Sequence, residues 1–291
     1  MTDLRPSRLR GLTLIEMAVV LMILGLIVAG LLGPLDTQLE ARDRRETLAQ
    51  LERARDALYG YAVTRGRLPS PDSDGDGLPN PAFDPANEAS ASCDVADGFL
   101  PWAELGVPPG DAWSNRLRYR VRSPAYTWPD SDGLCNGNDG SELDLCTRGD
   151  ITLRSRGDNP ATSGTQEGKF AFDAAREIPA VLLSHGRNGF EATSVAGGAR
   201  AAAAAPDEAE NADGDDVYVT RGYSAGDASC ADDANEATPL CEFDDLVVWI
   251  VPTVLNDKLV SAGRLPQNVC LGAWRGAGPP RVGGGVVHRP P

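Results

Sequence analysis

The polarity pattern opens with one unbroken apolar block. Residues 12–32 read LTLIEMAVVLMILGLIVAGLL, 21 positions in which Glu16 is the single charge. As a helix rising about 1.5 Å per residue, such a block spans the roughly 30 Å of a bilayer's hydrocarbon core. Gly33-Pro34 follows, and a proline that lacks an amide donor and clashes with the preceding turn predicts an end or a kink there. Helical character resumes from Asp36. Leu48, Leu51, Leu58 and Ala62 fall on one face, leaving Arg42, Arg45, Glu46, Glu52 and Arg53 for solvent, until Gly66 and Pro69 stop the element. The pattern therefore predicts one long helix over residues 12–66, transmembrane over 12–32 and amphipathic afterwards, with too few heptads for a coiled coil.

From residue 67 to 291 the pattern changes to short strand-like runs, at 116–121, 151–154, 181–183, 217–220 and 246–251. Loops rich in Gly, Pro, Asp and Asn separate them, without helix patterns between most of them. This predicts an α+β protein whose head is an antiparallel sheet packed on the long helix. Residues 197–216, with a run of alanines followed by acids, read as a low-complexity mobile excursion, and 275–291 as a disordered tail. Trp102, Trp113 and Trp249 are predicted as core aromatics rather than a ligand box.

Charge sharpens the picture at both ends. Arg5, Arg8 and Arg10 stand against Asp3 ahead of the apolar block, so the positive-inside rule predicts residues 1–11 in the cytoplasm and the head outside. The whole chain carries a formal net charge of −15, and so acidic a surface repels phosphate backbones, which excludes nucleic acid as an expected partner. Six cysteines occur, none in a C-x-x-C pair. Cys135 with Cys146, and Cys230 with Cys241, bracket short polar loops, and that spacing predicts disulfide staples. Catalysis is not expected. The two histidines are His185 and His288, Ser184 adjoins His185 directly, and no G-x-S-x-G, H-E-x-x-H or Walker loop is present.

Glu16 is the residue that a plain anchor does not explain, because a carboxylate in an apolar helix requires a partner and the block holds no lysine or arginine. The simplest partner is a positive group from another molecule. Gly11-Leu12-Thr13-Leu14-Ile15-Glu16, behind a basic leader, resembles the processing motif of type IV pilins and type II secretion pseudopilins. That resemblance implies a leader over 1–11, cleavage by a prepilin peptidase between Gly11 and Leu12, and methylation of Leu12. It also implies an assembly role for Glu16, which would pair with a neighbouring subunit's terminal amine. Leu12 stands where the family usually has phenylalanine. The implied partners are other pilin or pseudopilin subunits, the peptidase/N-methyltransferase and an inner-membrane assembly platform. The implied place is the bacterial inner membrane with the head periplasmic, and then a pilus or pseudopilus.

Patches in the head are similar to patches of large prepilin-like proteins: 66–69 (GRLP), 100–102 (LPW), 111–113 (DAW), 184–189 (SHGRNG) and 244–249 (DDLVVW). Where those proteins often have a cysteine after the Leu-Pro pair, this chain has Ser70; a pairing of Cys93 with Cys270 stays open. The run Asp72-Ser73-Asp74-Gly75-Asp76-Gly77 matches the first half of a calcium loop, with carboxylates at alternate positions and a glycine for the turn. Its second half departs, since Phe83 occupies the position of the closing glutamate, although Asn80 and Asp84 lie nearby. Structural calcium at Asp72, Asp74 and Asp76 is the one cofactor expected. Asp130/Asp132 and Asp213/Asp215/Asp216 are weaker versions of the same pattern. Two functions follow: a structural minor pilin or pseudopilin, or a single-pass tether carrying a calcium-dependent binding or adhesion module.

Overall fold

The structure, a computed structural model, describes residues 13–80, 95–123, 125–127, 143, 147–155, 177–232 and 238–264, with backbone alone over 28–36. Helix α1 (Leu14–Arg65) leads. It is followed in chain order by β1 (Asp97–Phe99), α2 (Trp102–Leu105), β2 (Arg118–Val121), β3 (Thr152–Arg154), β4 (Ala180–Ser184), α3 (Pro206–Glu210), β5 (Val217–Val219), β6 (Ser224–Ala225), β7 (Glu242–Phe243), β8 (Leu246–Trp249) and α4 (Pro252–Ser261). Two compact units divide the chain, residues 1–45 and 46–291.

In the first unit the backbone stays helical through Gly33-Pro34, so of the end or kink expected there the helix does not end, and one long helix runs as the sequence pattern predicts. Proline removes one amide donor from the ladder, a local loss within a helix that continues with good helix formers such as Leu35, Gln38, Leu39, Glu40 and Ala41. Among the described residues no helix is long and apolar enough to cross a membrane. Of the apolar block, side chains are described for residues 13–27.

The second unit is built around a four-stranded sheet of order β1-β2-β4-β8, antiparallel throughout. Alternation along the two strands β4 and β8 sends residues to opposite faces. Ala180, Leu182, Leu246 and Val248 join a cluster with Leu51, Ala54, Leu58 and Ala62 of α1. Val181, Leu183 and Val247 join Ile151, Leu153 and Tyr218 on the other side. Both faces are covered, which is why β4 is buried at all five positions. The second cover, β3 with β5, pairs in parallel, so the expectation of purely antiparallel pairing holds for the main sheet and fails for this ribbon.

The helix stripe that meets the sheet holds Leu51, Leu58 and Ala62, as read in the sequence, and departs at its first position. Thr47 is buried and Leu48 is 37 % exposed. The hydroxyl of Thr47 accepts the Ala112 N–H at 3.2 Å, so a polar contact occupies the position where a leucine was expected. Gly66, at φ 77°, ends α1 in the left-handed region, and its N–H reaches the Ala62 carbonyl at 2.7 Å. Helix α4 starts with Pro252 in its first turn and buries Leu255 and Leu259 in the helix-side core. The Val251 N–H donates to the Tyr59 hydroxyl at 3.0 Å, and Lys258 lies 5.4 Å over the Tyr59 ring.

Candidate functional site

At the start of α1, Thr13 and Glu16 close on each other. The Thr13 N–H and Oγ1–H donate to Glu16 Oε2 at 2.9 and 3.0 Å, and the Glu16 N–H donates back to Thr13 Oγ1 at 3.3 Å. This is a capping box, in which Thr and Glu three residues apart satisfy each other's otherwise orphaned amides. The T-x-x-E spacing before an apolar run was legible in the sequence, where only the charge of Glu16 drew notice. Glu16 therefore has two neutral donors within its own chain, where sequence reading supplied only an external cation. Beyond it the apolar side chains are uncovered: Leu14 is 91 % exposed, and Leu21 and Met22 exceed 60 %. A row of this length with no cover among the described residues calls for an apolar environment. Gly11 and Leu12 lie outside the described residues.

The acidic loop is formed and closed by its own backbone. Asp72 is buried, its Oδ1 accepting the N–H groups of Asp74 (3.1 Å) and Gly75 (2.6 Å) and its Oδ2 that of Gly77 (2.7 Å). Asp74 and Asp76 repeat the pattern two residues on, and Asn80 Oδ1 takes the Ser73 N–H at 2.9 Å. One oxygen from each of Asp72, Asp74 and Asp76 lies within 4.8 Å of the others. A guanidinium also enters, Arg116 donating to the Gly75 carbonyl at 2.6 Å. Gly77, at φ 89°, has no room for a side chain because the Trp102 ring stands 2.5 Å from where its Cβ would be.

The head patches that looked unrelated in sequence converge. Ser184 Oγ donates to Asp111 Oδ2 at 2.7 Å, and Asp111 Oδ1 accepts the N–H groups of Trp113 and Asn115. Burial holds the Asp111 carboxyl above its usual range, against the pull of those donors. Asn115 Nδ2 in turn donates to the Gly186 carbonyl at 3.1 Å. The Asn188 N–H donates to Asp244 Oδ2 at 2.8 Å, which joins 184–189 to 244–249. Trp113 packs against the helix-side core and Trp249 against the other cluster. His185 is buried, its Nδ1 3.7 Å from Asp245 Oδ1, and no nucleophile–base hydrogen bond joins it to Ser184, whose hydroxyl is committed to Asp111.

Residues 197–216, read as an excursion, hold α3 with Asp207, Glu208 and Asn211 buried. Composition hid these anchors because their partners lie elsewhere in the chain. Arg221 Nε donates to Asp207 Oδ2 at 2.6 Å and its Nη2 reaches Asp232 Oδ1 at 3.3 Å, with the guanidinium 4.2 Å over the Phe243 ring. The same arginine braces the Cys230–Cys241 disulfide, whose Cα atoms are 4.9 Å apart, through the Cys241 carbonyl at 3.3 Å. Cys93, Cys135, Cys146, Cys270, Asp130 and Asp132 lie outside the described residues.

Compared with known proteins, residues 6–32 match the family described as the prokaryotic N-terminal methylation motif. The match supports a processed protein of type IV pilin or pseudopilin type. No curated protein and no solved structure matches the chain.

Proposed function

We propose that the chain is a structural minor pilin or pseudopilin, a filament subunit rather than an enzyme. The observation that carries this reading is the methylation motif standing directly on an exposed apolar helix start whose single carboxylate is held at the N-terminal turn. A prepilin peptidase cuts between Gly11 and Leu12 and Leu12 is methylated. The 12–32 block then holds the subunit in the bacterial inner membrane, with the head periplasmic, until the assembly platform moves it into a pilus or pseudopilus. In the filament, neighbouring subunits replace lipid around the apolar row. Calcium at Asp72, Asp74 and Asp76 belongs to the same reading, as an ion that fixes the loop shortly after α1. A calcium-dependent rise in melting temperature that is smaller in Asp74→Ala than in the unsubstituted chain tests it, and an equal rise in both proteins rejects it.

The capping box separates two roles for Glu16. A helix cap needs an acceptor, which glutamine supplies as well as glutamate; a salt bridge to a neighbour's terminal amine needs the charge. Glu16→Gln should therefore keep the helix start and membrane insertion while filament incorporation falls at least tenfold, measured by sheared-filament immunoblot beside wild type. Normal incorporation of Glu16→Gln would leave the carboxylate a cap and favour the tether reading.

A further inference from the structure

We propose that Glu208, Asp244 and Asp245 form a buried binding site for a hard divalent cation of the calcium class, separate from the 72–77 loop. Each of the three offers an oxygen within 4.8 Å of the other two. All three side chains are buried, at 6 % exposure or less. They come from two distant segments, α3 and the link between β7 and β8.

Three carboxylates this close and this dry need positive charge, and the described residues do not supply it. Among the described residues no lysine or arginine pairs with any of them; Arg200 donates to Asn115 Oδ1, and Arg221 is committed to Asp207 and Asp232. The partners present are neutral donors. Asn188 Nδ2 donates to both oxygens of Glu208 at 2.9 and 3.1 Å, the Asp244 N–H to Glu208 Oε1 at 3.0 Å, and Asn211 Nδ2 to Asp245 Oδ2 at 2.8 Å. These bonds fix the carboxylates in place without neutralising them.

A second observation points the same way. Asp244 Oδ1 and both ring nitrogens of His185 are buried with no hydrogen-bond partner. His185 is fully buried, and its Nδ1 stands 3.7 Å from Asp245 Oδ1, beyond hydrogen-bond distance. Orphaned buried polar atoms around an uncompensated acidic cluster are what a missing ion or water leaves behind. Gly186, at φ 57°, packs so tightly that a Cβ would lie 2.3 Å from Asp244 Oδ1, so the backbone is built around this carboxylate.

Three carboxylates make an oxygen-only set, which selects a hard ion over copper or a thiolate-seeking metal. Calcium accepts six to eight oxygens in irregular arrangements and suits an adjacent Asp-Asp pair, whereas magnesium demands a strict octahedron and keeps its waters. A bound ion would clamp α3 to the start of β8 and complete the polar assembly formed by the 184–189 and 244–249 patches.

The test uses full-length protein in detergent, carrying Asp74→Ala so that the 72–77 loop does not contribute. After chelator treatment and equilibrium dialysis against calcium chloride, metal analysis should find about one calcium per chain, and the melting temperature should rise by several degrees relative to chelator. Adding Glu208→Gln should abolish both the bound calcium and the rise. That same variant should melt higher than its parent in chelator, because it removes one of three mutually repelling carboxylates. An Asp74→Ala chain that binds no calcium overturns the proposal, as does calcium binding that survives Glu208→Gln undiminished. Neither result bears on processing or filament assembly.

Discussion

Arg221 shows how one side chain organises a region of poor composition. Its guanidinium is nearly inaccessible, bonded to two buried carboxylates, and stacked on Phe243. Removing one member of such a group leaves the others buried and uncompensated, at a cost of about 3–5 kcal/mol. Arg221→Ala should lower the unfolding free energy by about that amount in a denaturant titration of the detergent-solubilised protein, whereas a loss under 1 kcal/mol would mean that water reaches the acids. Opening the Cys230–Cys241 loop by Cys→Ser at both positions should cost about 3 kcal/mol by the chain-entropy estimate. The two effects should fall short of additivity, because the arginine and the disulfide restrain the same loop. Sequence spacing found this cysteine pair but not the arginine, whose two acidic partners are 11 and 14 residues away with no periodicity to betray them. Glu208, Asp244 and Asp245 escaped for the same reason. Nothing local joins an acid in an Ala/Asp-rich stretch to an Asp-Asp pair ahead of a strand.

Elements with a strong period were the legible ones. The second half of α1 repeats apolar residues at helical spacing, and β4 and β8 are continuous apolar runs bounded by turn residues. The face of α1 was legible only approximately, since Thr47 reads as polar and Leu48 as core until the Ala112 amide is placed against the threonine. Two leucines separate these readings. Leu58→Ala should destabilise by about 2–5 kcal/mol because it opens a cavity in the shared core, and Leu48→Ala by less than about 0.5 kcal/mol. Comparable losses at both positions would move the core stripe. Helix α4 carried usable marks, Pro252 at its start and Gly263 just past its end, but its apolar residues are few enough to pass for the tail of a strand. The parallel pairing of β3 with β5 left no trace in either strand, because two three-residue strands specify no direction.

At the scale of the molecule, the two compact units carry two different kinds of information. The head has its own core on both faces of a sheet, polar networks and a disulfide, none of which requires a second molecule. The N-terminal unit presents apolar side chains that are uncovered among the described residues, within a motif whose known use is processing and assembly. The 6–32 segment is the part that matches a known family. The central claim is that this segment is a substrate before it is an anchor, and the intact mass of the protein tests it most directly. Produced in a host with an active prepilin peptidase and methyltransferase, extracted from membranes and measured whole, the chain should begin at Leu12 and carry one added methyl group. A mature chain that still begins at Met1 in that host would contradict the account.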